Sequence, residues 1–150
     1  MPRPSILASI LFLLLLLSSV AIAQQPKQWS FGGALGSSTQ LSLSYNLNPR
    51  WQLSFVLGPY GDLARTSSDR IGLSAIYYLD TSDSPLFVGF SPGITAREPH
   101  AFIAVVPFGI QHKITDDFSI RLGAELFVTT NELHRSAGGI GISIGGSVYL

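Results

Sequence analysis

Eight short runs, in which bulky apolar side chains alternate with serine, glycine and other small or polar ones, constrain this chain more than any other feature. A period of two belongs to extended strands, whose successive side chains point to opposite faces. The first run spans about Trp29 to Leu35, with Trp29, Phe31 and Leu35 on one face and Ser30, Gly32 and Ala34 on the other. In the second, Leu41, Leu43, Tyr45 and Leu47 alternate with Gln40, Ser42, Ser44 and Asn46. Asn48-Pro49-Arg50 reads as a tight turn into a third, where Trp51, Leu53, Phe55 and Leu57 oppose Gln52, Ser54, Val56 and Gly58. Gly58 to Asp69 reads as a loop leading to a fourth run, with Ile71, Leu73, Ala75, Tyr77 and Leu79 on its apolar face.

After a turn over Asp80 to Pro85, the fifth and sixth runs, about Leu86 to Gly93 and Ala101 to Lys113, are apolar on both faces, which leaves their facing open. Pro92 and Pro107 each lack a ladder donor, so a bulge or a strand end is expected near both. Thr115-Asp116-Asp117 turns into the seventh run, where Phe118, Ile120, Leu122, Ala124, Leu126 and Val128 oppose Ser119, Arg121, Gly123, Glu125 and Phe127. The last has Ile140, Ile142, Ile144, Val148 and Leu150 opposite Gly141, Ser143, Gly145, Ser147 and Tyr149. Short turns near Pro49, Asp83 and Asp116 alternate with longer or more glycine-rich connections near Ser37, Arg65, Arg97 and Arg135. That alternation predicts an all-β, up-and-down antiparallel barrel of about eight strands, with both termini on the side of the short turns.

The N-terminus implies export. Arg3 supplies positive charge, Ile10 to Leu17 is unbroken apolar sequence, and Ala21-Ile22-Ala23 offers a small-x-small cleavage site. Residues 1–23 are thus expected to be a signal peptide and 24–150 a single barrel domain beginning at Gln24. The apolar core is shorter than the ~20 residues that span a bilayer as a helix, and no later stretch reaches that length. Without Arg3, eight basic side chains stand against nine acidic ones, a balance that argues against nucleic-acid binding. The chain has no cysteine, so neither disulfides nor thiol chemistry can support it outside the cytoplasm.

A barrel of this length could face water, as lipocalins do, or lipid. A water-facing wall would carry Lys, Glu, Arg and Thr, whereas the polar face here is mainly Ser and Gly with charge confined largely to turns and loops. Eight strands leave an interior just wide enough for side chains, so small residues suit the inside and bulky apolar ones a transmembrane exterior. Trp29, Tyr45, Trp51, Tyr77, Phe108 and Phe118 fall near strand ends on the short-turn side, where an aromatic girdle would sit at the headgroups. Arg121 and Glu125, four apart in the seventh run, face inward by parity and are expected to form a lumenal ion pair.

The final run contains Ser143-x-Gly145-x-x-Val148-x-Leu150. It resembles the C-terminal signal by which barrel-assembly machinery recognises its clients, ending in Leu150 where a terminal Phe is usual. With this motif the mature region is similar to the small OmpA/OmpX-type outer-membrane barrels. The resemblance implies an integral outer-membrane protein with periplasmic termini, delivered by periplasmic chaperones and the assembly machinery. It also implies contact with outer-membrane lipid and lipopolysaccharide, and a monomeric state.

For catalysis there is one candidate, His134-Arg135-Ser136, which resembles the His-x-Ser of lipid A deacylases, themselves small barrels. A histidine beside a serine can take the nucleophile's proton while a carboxylate orients it. The nearest carboxylate, Glu132, precedes the histidine instead of following it, and Ala137 stands where those enzymes have Asn. No spacing among His100, His112 and His134 suits a metal, and Gly138-Gly139-Ile140-Gly141 enters a strand, not a phosphate-binding helix. The expectation is a barrel without cofactor or catalytic site, acting structurally or through loops whose Arg65, Arg97 and Arg135 can meet lipopolysaccharide phosphates. A narrow pore, a lipid-modifying enzyme and a secreted ligand-binding barrel are the rivals.

Overall fold

Each strand pairs antiparallel with its neighbour in sequence, and the last returns to the first, closing the sheet into a barrel. In the computed structural model the strands are β1 (Trp29–Gly36), β2 (Gln40–Asn48), β3 (Trp51–Tyr60), β4 (Ser68–Tyr78), β5 (Leu86–Thr95), β6 (Ala101–Thr115), β7 (Phe118–Asn131) and β8 (Ser136–Tyr149). The structure describes residues 28–36, 39–60, 68–95, 100–131 and 136–150. The expected signal segment, Glu132, His134 and the loop arginines Arg65, Arg97 and Arg135 lie outside them.

The stagger of the closed sheet follows from one circuit of pairings. Ser119 pairs with Ser147, then in turn come Gly32, Ser42, Val56, Gly72, Gly93, Ile103 and Thr129. The circuit leaves β7 at Ser119 and returns to it ten residues higher, at Thr129. With about 3.3 Å per residue and about 4.8 Å between strands, this climb tilts the strands by roughly 40° from the barrel axis. A strand of ten residues such as β3 then rises about 25 Å along that axis.

Parity decides which face looks out. Among the described residues, twenty-nine large apolar side chains are exposed and six are buried, the reverse of a water-soluble domain. Phe31, Leu73, Ile140 and Ile142, on β1, β4 and β8, are 52%, 64%, 76% and 73% exposed. The polar positions Ser30, Ser44, Gln52, Ser54, Ser74 and Ser119 are buried in the lumen.

The two strands with open facing resolve in the same way. Phe87, Ser91 and Thr95 of β5 and Ile103, Val105 and Gln111 of β6 turn inward, while Val88, Phe90, Ile94, Phe102, Phe108 and Ile110 turn outward. The lumen is therefore not lined by Ser and Gly alone. Ile103 and Val105 pack with Phe127, and Ile76 with Tyr78 and Phe87. Glycines opposite make room: a Cβ on Gly123 would lie 3.3 Å from Phe87 Cζ, and one on Gly139 only 2.6 Å from Phe127 Cζ. Bulky lumenal side chains fill the space that glycines on nearby strands leave.

Near the two prolines the structure corrects the expectation. Neither Pro92 nor Pro107 ends a strand or shifts a register; the pairings on either side of each keep step, from Gly72–Gly93 to Ala75–Phe90 and from Val88–Phe108 to Ser91–Val105. Proline removes a donor without adding a residue, so it interrupts the ladder and leaves the alignment intact. Register shifts fall instead between Asn46 and Asn48 and between Lys113 and Thr115, beside two of the short turns.

Candidate functional site

Polar side chains from six strands converge inside the barrel at its short-turn end. Arg121 is at the centre: its Nη2 donates to Gln111 Oε1 at 2.6 Å, Tyr78 Oη at 3.0 Å and Gln52 Oε1 at 3.1 Å, and its Nε donates to Gln111 Oε1 at 3.2 Å. Tyr78 Oη lies 2.9 Å from Gln111 Oε1 and 3.2 Å from Gln52 Oε1, sharing its proton between them. Outward from this centre, Gln52 Nε2 donates to Asn46 Oδ1, and Gln111 Nε2 to Tyr149 Oη, which also meets Ser119 Oγ. The Arg121 guanidinium lies 4.8 Å from the Phe87 ring centroid, a cation–π contact. Each amide and hydroxyl comes from an inward position of its strand, so tilt and register bring together residues up to 69 apart in sequence.

This polar partition spans the bore. Above it lies a cavity of about 40 Å³, lined by Gln40, Ser42, Arg121, Glu125, Ser143 and Ser147 among others. Such a volume admits a few water molecules and no larger solute. Arg121 and Glu125, the expected ion pair, thus face one cavity; Glu125 is buried at 3% exposure, and the donors described for Arg121 serve Gln111, Tyr78 and Gln52. Below the partition a wider vestibule of about 580 Å³ opens between the turns, with Asp83, Lys113, Asp116 and Asp117 on its walls and Gln111 and Tyr149 on its floor. Lys113 Nζ and Asp116 Oδ1 are 2.7 Å apart.

Sequence reasoning found Arg121 and missed its partners. Gln52 and Gln111 carried a usable signal, since long amides on the inner face of a narrow barrel need partners there. Arg70, also missed, is 3% exposed in the lumen, and its Nη2 donates to both Ser91 O and Ser91 Oγ at 2.6 Å.

On the outer wall, Trp29 pairs with Tyr45 and Trp51 with Tyr77, both with ring centroids 4.9 Å apart. Phe118 opens β7 at the same rim. Phe108 does not share that level: it sits opposite Val88 and Ala124, well inside β6, because the tilted register lifts it away from the turn. Ser143 and Gly145 face the lumen while Val148 and Leu150 face outward, and Leu150 N donates to Trp29 O. Ser136 opens β8. Its expected partners His134 and Glu132 lie outside the described residues. Of the other histidines, His112 Nδ1 is 2.6 Å from Ser84 Oγ and His100 Nδ1 is 3.2 Å from Thr95 O. No cluster of metal-ligating side chains is present among the described residues.

No protein-family model matches the chain, and no curated protein does. Among solved structures, the N-terminal β-barrel domain of Pseudomonas aeruginosa OprF is similar in fold, with a TM-score of 0.54 at 18% identity. The match covers 82% of this chain and 99% of that domain. Pairing order, closure and this likeness agree: the chain has a closed, eight-stranded, up-and-down antiparallel barrel fold, similar to that of the OprF domain.

Proposed function

We propose that the chain is an integral protein of the bacterial outer membrane, with periplasmic termini, whose role is structural or interactive and neither catalytic nor conductive. The observation that carries this reading is the inverted wall: a continuous exterior of exposed Leu, Ile, Val and Phe around a hydrogen-bonded polar interior. Apolar surface on that extent is unfavourable in water and favourable against acyl chains. The signal-like residues 1–23, the terminal Ser143-x-Gly145-x-x-Val148-x-Leu150 and the fold likeness support the same placement. The motif would be read by assembly machinery, and the loop arginines Arg65, Arg97 and Arg135 would meet lipopolysaccharide phosphates outside the cell.

The Arg121 hydrogen bonds, which run across the bore from β7 to β3, β4 and β6, support the non-conductive part. Fractionation with a heat-modifiability gel tests the placement. The protein is expected in the outer-membrane pellet, with a mobility that changes on boiling; release without detergent would overturn the reading. In planar bilayers the wild type is expected to be silent, and steady single-channel steps from it would remove the non-conductive reading.

A further inference from the structure

We propose that the short-turn rim carries one binding site for the phosphodiester of an anionic phospholipid, built on Arg50 with Trp51 and Tyr77. The rim holds two cross-strand tryptophan–tyrosine pairs of matching geometry, Trp29–Tyr45 and Trp51–Tyr77, each at 4.9 Å between centroids. They differ in what meets the tyrosine hydroxyl. Tyr45 Oη donates to the neutral Gln28 Oε1 at 2.9 Å, whereas Tyr77 Oη accepts from the Arg50 guanidinium at 3.2 Å.

Arg50 is held where it stands. Asn48 Oδ1 accepts from the backbone N–H groups of both Arg50 and Trp51, fixing the turn so that the guanidinium leaves it beside the aromatic pair. Among the described residues, Tyr77 Oη is that guanidinium's hydrogen-bond partner, and only through Nη1. Its remaining donors form a fork of the kind that matches phosphate oxygens. The carboxylate whose field it shares, Asp80, is occupied by the Ser82 hydroxyl and N–H. Among the described residues, the other rim lysine or arginine, Lys113, is matched by Asp116. Indole and phenol rings seat at the glycerol level of a bilayer, which puts Arg50 at the height of the phosphates. Among the described residues, charge and depth therefore coincide at Trp51–Tyr77 and not at Trp29–Tyr45. The inference rests on the membrane reading above.

The chain has two tryptophans, so Trp29→Phe leaves Trp51 as the reporter of the site and Trp51→Phe leaves Trp29 as the internal control. Each variant is reconstituted in vesicles containing phosphatidylglycerol or phosphatidylcholine brominated near the glycerol, at equal mole fraction. Trp51 is expected to be quenched more by the anionic lipid, corresponding to about a fivefold local enrichment for one arginine, and Trp29 equally by both. Arg50→Gln, which makes the second pair resemble the first, is expected to abolish the difference while the heat-dependent gel mobility stays unchanged. High salt applied to the Trp29→Phe protein should narrow the difference without a further substitution. A preference absent at Trp51, equal at both tryptophans, or surviving Arg50→Gln would overturn the site. Failure of either lipid to quench either tryptophan would overturn the membrane reading itself.

Discussion

Tyr78 concentrates the physical problem of a narrow polar lumen, since its hydroxyl serves Arg121, Gln52 and Gln111 at once. Tyr78→Phe keeps the ring against Phe87 and removes only the hydroxyl. A buried polar group left short of a partner costs about 1–3 kcal/mol, so the variant is expected to unfold from lipid vesicles at lower urea by that amount. An unchanged midpoint would mean that water replaces the hydroxyl without loss. Just beyond the end of the same strand, in the exposed turn, the Asp80 carboxyl is held below the usual aspartate range, first by the Ser82 hydroxyl and then by the Ser82 N–H. A carboxyl depressed in the folded state contributes stability above its unfolded value and loses it as pH falls through the folded one. The turn should therefore loosen only in acid, below about pH 4. Following the Asp80 carboxyl carbon by NMR should show its midpoint rise in Ser82→Ala; an unmoved midpoint would assign the shift to another cause. Arg121 was legible from parity, but its partners were not. Gln52, Tyr78, Gln111 and Tyr149 meet only because the sheet closes with a definite stagger, and no local pattern encodes that stagger.

In β5 the missing proline donor is replaced from the side chain before it. Pairings in step with Leu79 N to Leu86 O would give the carbonyl of Leu73 a donor from residue 92, which as proline has none. Ser91 Oγ donates to Leu73 O at 3.1 Å instead, and the same residue receives Arg70 through its carbonyl and hydroxyl. Ser91→Ala is expected to destabilise the barrel by about 1–3 kcal/mol, by freeing the part-buried Leu73 carbonyl and one guanidinium contact. Adding Pro92→Ala restores a backbone donor and should recover part of the loss. Additive losses in the double variant would show that the ladder cannot close there for another reason. Why the sequence left β5 and β6 ambiguous follows from the same region. Phe87, Ile103 and Val105 point inward and are as apolar as their outward neighbours, because Gly123 and the Gly- and Ser-rich β8 wall leave volume that only bulky groups fill. Period two is legible where the two environments differ in polarity, as along β2, β3 and β7, and fades where both are apolar.

The closed, tilted cylinder makes a prediction that no water-soluble barrel shares, because its outer surface should feel a solvent that changes with height. Phe55 lies halfway along β3 and is 44% exposed on the outer wall; Leu79, 52% exposed, lies just past the end of β4 at the turn-side rim. In water, replacing either by arginine would relieve exposed apolar surface at little cost. In a bilayer the cost depends on depth, about 2–4 kcal/mol near the midplane and about 0–1 near the interface. Phe55→Arg is therefore expected to destabilise the vesicle-inserted barrel by several times as much as Leu79→Arg, measured by urea unfolding monitored through tryptophan emission. Equal small effects at both heights would remove the lipid-facing wall, and with it the reason for placing Ser44, Ser54 and Gln52 on the axis side. A graded loss would instead tie the strand tilt of roughly 40° to a hydrocarbon layer about 25 Å thick, the span that ten residues of β3 can cover at that angle.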